Sequence, residues 1–385
     1  MFALPYPTGV GAECRKRAIA AFWRACRAGL APKQHDAVAE IGAFLRRENG
    51  AELLLHDCAG GGCISGGSAT EGGGIYLGEN TSLTMDGGCI SGNTANRGGG
   101  IYAAESAILS ISGGEISENQ AKTGGALFLR CPAELSGLEI KGNSAEYTGA
   151  GIHAETAQGA LVSLNGCSID ENSAMGHGGG AYLKNCSMEM LGGSLDGNKV
   201  SDAHASGGGV YVGENASFSM AGEARVSGNS AVKEGGGVCV SSSPHVSGFS
   251  MSGGEISGNS AENGGGISST GAGQFEISGG KISGNSAEAN GGGIYISFAF
   301  TRDVEKLIAN CDIDGNSAGS YGGGVYIQGN SFISVGLDGD SIRRNSAMDG
   351  GGVYVNQLER LSLAGMLHIN CLLYTSPSPR DPKTS

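Results

Sequence analysis

Two aspartates, Asp170 and Asp196, stand at like places in consecutive copies of a short repeat, where serine is the usual residue. Glu171 lies beside the first, and His177 and His204 fall in the same two copies. Stacked as strands of a parallel sheet, such copies would set the carboxylates about 5 Å apart, a separation that glycosidases use. Like charges that close can also raise one pKa or hold a cation between them. The plainer reading is a pair of solvated turn aspartates. A catalytic centre wants a concave pocket with convergent groups, and repeats of nearly constant length supply no large loops to build one. The sizeable insertion is SFAFTRDVEKL, Ser297 to Leu307. No catalytic residue, metal ligand or cofactor follows from these positions.

A second candidate is a row of aromatic residues at one place in the repeat: Tyr76, Tyr102, Phe128, Tyr182, Tyr211, Tyr295, Tyr326 and Tyr354. His153, Cys239 and Ser268 interrupt it. Aromatic neighbours stabilise a sheet face by roughly 0.2–1 kcal/mol per pair, which gives the row a structural purpose. The same row could serve as a platform for sugar rings or for the apolar face of a host-surface protein.

Other chemistry fits poorly. The eleven cysteines form no CxxC pair and no zinc pattern. Cys63 and Cys89 take the same place in successive repeats, but like positions on parallel neighbours seldom orient well for a disulfide, so free thiols are expected. Calcium-binding nonapeptide repeats fail on period and aspartate content. A phosphate loop fails because no helix follows the glycines and no GK[ST] occurs. The net charge of -13 argues against nucleic acid as a partner. No run of 18 apolar residues suggests a membrane span, and no signal peptide is visible in the first 30 residues.

What must position all these residues is the repeat. Glycine is extreme, 73 of 385 residues, with only 8 prolines. Aligned on glycine triplets, units start at Gly72, Gly98, Gly124, Gly149, Gly178, Gly207, Gly235, Gly264, Gly291, Gly322 and Gly350, with steps of 25 to 31 residues. A period in this range signals a solenoid. Ahead of each triplet an aliphatic residue is followed three places later by asparagine: Asn93, Asn119, Asn143, Asn172, Asn198, Asn229, Asn259, Asn285, Asn316 and Asn345. The first unit breaks the rule, with Gly67 after Ile64.

Each unit carries three short alternating segments, of the types Ile75-Tyr76-Leu77 and Leu83-Thr84-Met85 and the stretch around the aliphatic before the Asn. Period-two alternation bounded by Gly, Ser and Asn reads as strand. The prediction is an all-β chain, a right-handed parallel β-helix of about eleven three-strand coils over residues 51–370. Ile75 and Leu77 point inward and Tyr76 outward. At each corner the asparagines stack into a ladder of amide hydrogen bonds. The stretch from Asn to the glycines is expected to be a turn.

Residues 1–50 follow helical spacing instead, with Ile19, Phe22, Trp23, Cys26 and Leu30 on one stripe. They are expected to form a helical cap on the solenoid, or else a basic docking segment. At the other end, Cys371 to Ser385 matches no part of the repeat. One DNA encoding of CLLYTSPSPRD resembles a transposase-type sequencing adaptor, so the tail is expected to be non-native and the natural protein to continue beyond Asn370.

The GGGIY-type block paired with the aliphatic-x-x-Asn block resembles the repeats of chlamydial polymorphic membrane proteins. It is still more similar to bacterial adhesin-like β-helix repeat proteins, from Ala59 to about Asn370. Members of these families are typically secreted, with a β-helical passenger and a separate anchor or barrel. This chain departs from them in showing neither leader nor anchor. The resemblance implies a non-catalytic extracellular or cell-surface protein, a passenger or stalk presenting a binding face to a glycan or host protein. The alternative is a carbohydrate-active β-helix enzyme, a polysaccharide lyase or glycoside hydrolase using Asp170 and Asp196.

Overall fold

Each repeat folds into as many as four short strands, one more than its alternation predicts. In the unit that begins at Gly72 they are Ile75–Leu77, Ser82–Met85, Cys89–Ser91 and Thr94–Arg97. A computed structural model describes residues 52–55, 63–241, 247–270, 273–297, 304–329, 333–338, 341–356, 360–364 and 368–370. Both the expected helical cap (1–50) and the tail (371–385) lie outside the described residues.

Each strand pairs in parallel with its counterpart one coil away, as in Ile75↔Ile101 and Ile64↔Ile90. The third strands form one 12-stranded sheet, and the fourth strands form sheets of six and three. First and second strands merge into a 21-stranded sheet, because in two coils they run on as single strands, Ile152–Asn165 and Ala181–Leu191. The product is a parallel β-solenoid of about ten turns.

The fourth strand corrects the expectation of a turn between Asn and glycine. Its signal is faint because the apolar residue that faces inward there is a single alanine, such as Ala95 or Ala261. Backbone bonding to the neighbouring coils, not side-chain alternation, makes it a strand.

Inside the coils the aliphatic positions close the core. Ile75, Leu77, Leu83, Met85 and Ile90 are fully buried, each contributing about 1.5–3 kcal/mol relative to exposure. Phe218, Phe249 and Phe275 follow one another along the second strands as tilted rings, with centroids 5.9 and 5.7 Å apart.

Asn93 through Asn345 are buried in an unbroken row. Each Nδ2 donates to the Oδ1 of the asparagine one coil further on at 2.9–3.0 Å, and the backbone N–H donates to the same oxygen. The second Nδ2 hydrogen goes back to the aliphatic carbonyl of the preceding coil, as from Asn259 to Val226. Gly67 replaces Asn because a Cβ there would lie 2.0 Å from the Gly73 carbonyl oxygen. Its N–H still caps the row by donating to Asn93 Oδ1 at 2.9 Å.

Cys63 and Cys89 depart from the expected free thiols. Direct register places their Cα atoms 4.4 Å apart, and the structure joins them in a disulfide. Cys131, Cys167, Cys186 and Cys239 are free and buried, and Cys311 is buried as well.

Candidate functional site

The outward residue of each first strand builds the aromatic row. Tyr76, Tyr102, Phe128, His153, Tyr182 and Tyr211 stack at 4.7–5.4 Å with their planes within 11° of parallel. His153 is therefore a rung and not an interruption. After the small rungs Cys239 and Ser268, the stack resumes with Tyr295, Tyr326 and Tyr354 at 5.1 and 5.5 Å.

The rings turn their faces to one another, so the stack offers solvent mostly edges. Even these are partly covered: Tyr102 and Phe128 are 4% and 3% exposed, while Tyr182, Tyr211, Tyr295 and Tyr354 are half-buried. The cover comes from residues that immediately precede the glycine triplets, a row that sequence reasoning missed. The Arg97 guanidinium lies 5.5 Å over Tyr102 and 5.6 Å over Phe128. His177 stacks on Tyr211 at 4.4 Å, and Tyr321 stacks on Tyr354 at 4.6 Å. Over the small rungs, Glu234 accepts a hydrogen bond from Ser268 at 3.3 Å, and burial raises the pKa of its carboxyl. The fixed offset from the triplet was the available signal, but the residue types vary too much to show it.

His153 is the polar centre of the stack. Its Nδ1 lies 3.0 Å from Thr148 Oγ1, while its buried Nε2 has no hydrogen-bond partner and Glu155 stands 3.8 Å away. Burial lowers the imidazole pKa despite that carboxylate. Glu155 is held down to about 2 by His153 and by Lys184, whose Nζ is 3.2 Å away.

The aspartate pair sits on the third strands, in register as Asp170↔Asp196. Asp170 Oδ2 accepts from Ser168, and its Oδ1 accepts from Ser194 Oγ and from the Asp196 backbone N–H, both at 3.1 Å. Asp196 accepts from Ser227 Oγ at 3.0 Å. The histidines do not join them in a hydrogen-bonded site. His177 accepts from the Ser206 N–H over the aromatic row, while His204 is exposed. Glu171 turns to Lys141 at 3.4 Å. Among the described residues, no cluster of three or more His, Cys, Asp or Glu side chains has metal-binding geometry.

Beside Ser168 and Ser194 the wall of the solenoid is indented, and link lengths explain why. Single residues, Gly166 and Gly192, join the second and third strands of two consecutive coils. The next coil uses three residues, Gly222 to Ala224, of which Gly222 and Glu223 are exposed. The step leaves a groove of about 550 Å³, floored by Gly166, Gly192 and Gly193 and edged by Ser168, Ser194, Leu191, Glu223 and Arg225. Leu191 is 45% exposed, and Glu223 and Arg225 are exposed.

No protein family, curated protein or solved structure matches this chain. Among the described residues, no helix is long and apolar enough to cross a membrane.

Proposed function

We propose that the chain is the shaft of a non-catalytic extracellular or cell-surface repeat protein, an adhesin-like passenger or stalk that presents a binding face. The observation that carries this reading is the asparagine row, which locks coil to coil from Asn93 to Asn345. A rod built this way holds a surface at a distance. The Cys63–Cys89 disulfide suits an oxidising compartment. A right-handed winding of about eleven coils, capped by helices over residues 1–50, completes the proposal. The similarity of the glycine and asparagine blocks to bacterial adhesin-like repeats supports it.

A second reading, the carbohydrate-active enzyme, has one observation in its favour: the groove is lined by Ser168 and Ser194, whose hydroxyls bond Asp170. Against it, both Asp170 oxygens are already engaged by serine hydroxyls and a backbone N–H. The two readings separate in one set of measurements. Protease treatment of intact producing cells should release peptides from residues 63–356, and the purified chain should cleave no polysaccharide. Peptides released only after lysis would sink the surface reading. Turnover lost in both Asp170→Asn and Asp196→Asn would establish the enzyme.

A further inference from the structure

We infer that the groove between Gly166 and Arg225 binds the ring of a neutral, hydroxyl-rich sugar at the end of a glycan. The inference rests on the adhesin-like reading and gives that reading a contact site. Its first support is shape. Two adjacent coils with one-residue links lie beneath a coil with a three-residue link, so the recess is about two coil spacings deep along the rod, roughly 10 Å. That span and the 550 Å³ volume suit one or two pyranose rings.

The lining is the second support. A pyranose presents equatorial hydroxyls around its rim and C–H groups on its faces. Leu191 offers an exposed aliphatic surface on the groove edge. Ser168 and Ser194 hydrogen-bond Asp170, and Ser194 Oγ also lies 3.4 Å from Ser168 Oγ, so each hydroxyl oxygen keeps a lone pair as an acceptor for a sugar hydroxyl. Arg225 supplies a planar fan of donors, and Glu223 supplies a carboxylate acceptor.

Charge decides the class of sugar. Arg225 makes no ion pair among the described residues, because Glu255, its neighbour in register, is taken by Lys281 at 3.2 Å. Its charge lies close to that of Glu223, two residues earlier on the same groove edge, and Asp170 stands behind the lining serines Ser168 and Ser194. An anionic sugar would meet the Glu223 carboxylate in the groove, with that of Asp170 behind the serines, against one guanidinium. A neutral ring meets none of that repulsion.

The groove also differs from the aromatic row in what remains free. Ring faces in that row are covered by other rings. In the groove, donors and acceptors line a recess whose floor is backbone, because Gly166, Gly192 and Gly193 bring no side chains. A Cβ on Gly193 would strike the Cys167 carbonyl oxygen at 2.1 Å, so close coil contact keeps the floor bare.

The test uses the full chain on an array of neutral hexose- and N-acetylhexosamine-terminated glycans beside sialylated and uronate-containing ones, followed by calorimetry on the best neutral glycan. The expected result is neutral binding, weakened at least tenfold by Arg225→Ala and by Glu223→Ala with thermal melting unchanged. Both residues are exposed, so the variants should fold. Leu191→Asp, also at an exposed site, provides a third check. The proposal is overturned if the array binds only anionic glycans, if nothing binds, or if neutral binding survives all three substitutions. Surface exposure of residues 63–356 on producing cells, measured separately, would stand in those cases, so loss of the groove is distinguishable from loss of the adhesin-like reading.

Discussion

Two rows of stacked side chains run along this solenoid, one rung per coil, and they tolerate change very differently. The asparagine row holds the same residue at ten consecutive rungs, all of them buried. The aromatic row accepts tyrosine, phenylalanine, histidine, cysteine and serine. Hydrogen bonding explains the contrast. Each Asn must both accept and donate along the row, and no other side chain of that length does both with the same geometry. Stacking asks only for favourable contact, and a small rung can be covered by a neighbour, as Glu234 covers Ser268. Obligatory partners fix residue identity, whereas preferred partners fix only a tendency.

The sharpest way to break this contrast is to remove one rung from each row. Asn259→Ala strips the acceptor from the Asn229 N–H and Nδ2 and two donated bonds from Asn259 itself. Buried groups left without partners should cost about 3 kcal/mol in chemical denaturation. Asn263→Ala loses a single bond from Asn290 and should cost about 1 kcal/mol. Equal losses at the two sites would remove the distinction between the ladder and the fourth strand.

Phe128→Ser should come next, at about 2 kcal/mol, from two lost stacking contacts and lost burial. A loss as large as that of Asn259→Ala, measured the same way, would mean that the aromatic row is as obligatory as the polar one.

The smallest effect is a pH dependence confined to the aromatic row. His153 has a lowered pKa in the folded chain because burial disfavours its charge. The unfolded chain therefore binds the proton more readily. Stability should be full above the unfolded histidine value of about 6.5 and decline as pH falls from there toward the lower folded value. His177, also lowered by burial, contributes in the same window. The groups around His153 are Thr148, Glu155, Lys184 and the rings of Phe128 and Tyr182. Glu155 titrates far below this window. Thermal melts from pH 8 to pH 5 should show a shallower decline in His153→Phe, and an unchanged slope would place the sensitivity elsewhere.

Much of this architecture was legible because the two strongest signals are stereochemical. The triplets that begin at Gly72 and Gly98 mark places where φ is positive, and the aliphatic-x-x-Asn spacing marks a buried amide. The fourth strand was not legible, since Thr94–Arg97 and Ser260–Asn263 show no alternation and owe their form to neighbouring coils. His153 read as an interruption because its residue type says nothing about the rings above and below. The register of Cys63 with Cys89 was legible, and the bond was missed because like positions on parallel strands were expected to orient poorly. The groove depends on two short links side by side, which become visible only once strand ends are fixed.

The asparagine row also has a direction. Every side-chain amide donates toward the later coil, so the amide dipoles align head to tail along the rod. Its start offers an acceptor, met by the Gly67 N–H, and by the same pattern its finish offers a donor. Adding a coil at the finish continues an existing chain of polarised bonds, each strengthening the next. Two such rods brought start to start would set acceptor against acceptor. The repeat is therefore a one-way grammar: it can be lengthened coil by coil, but it cannot be joined to its own mirror.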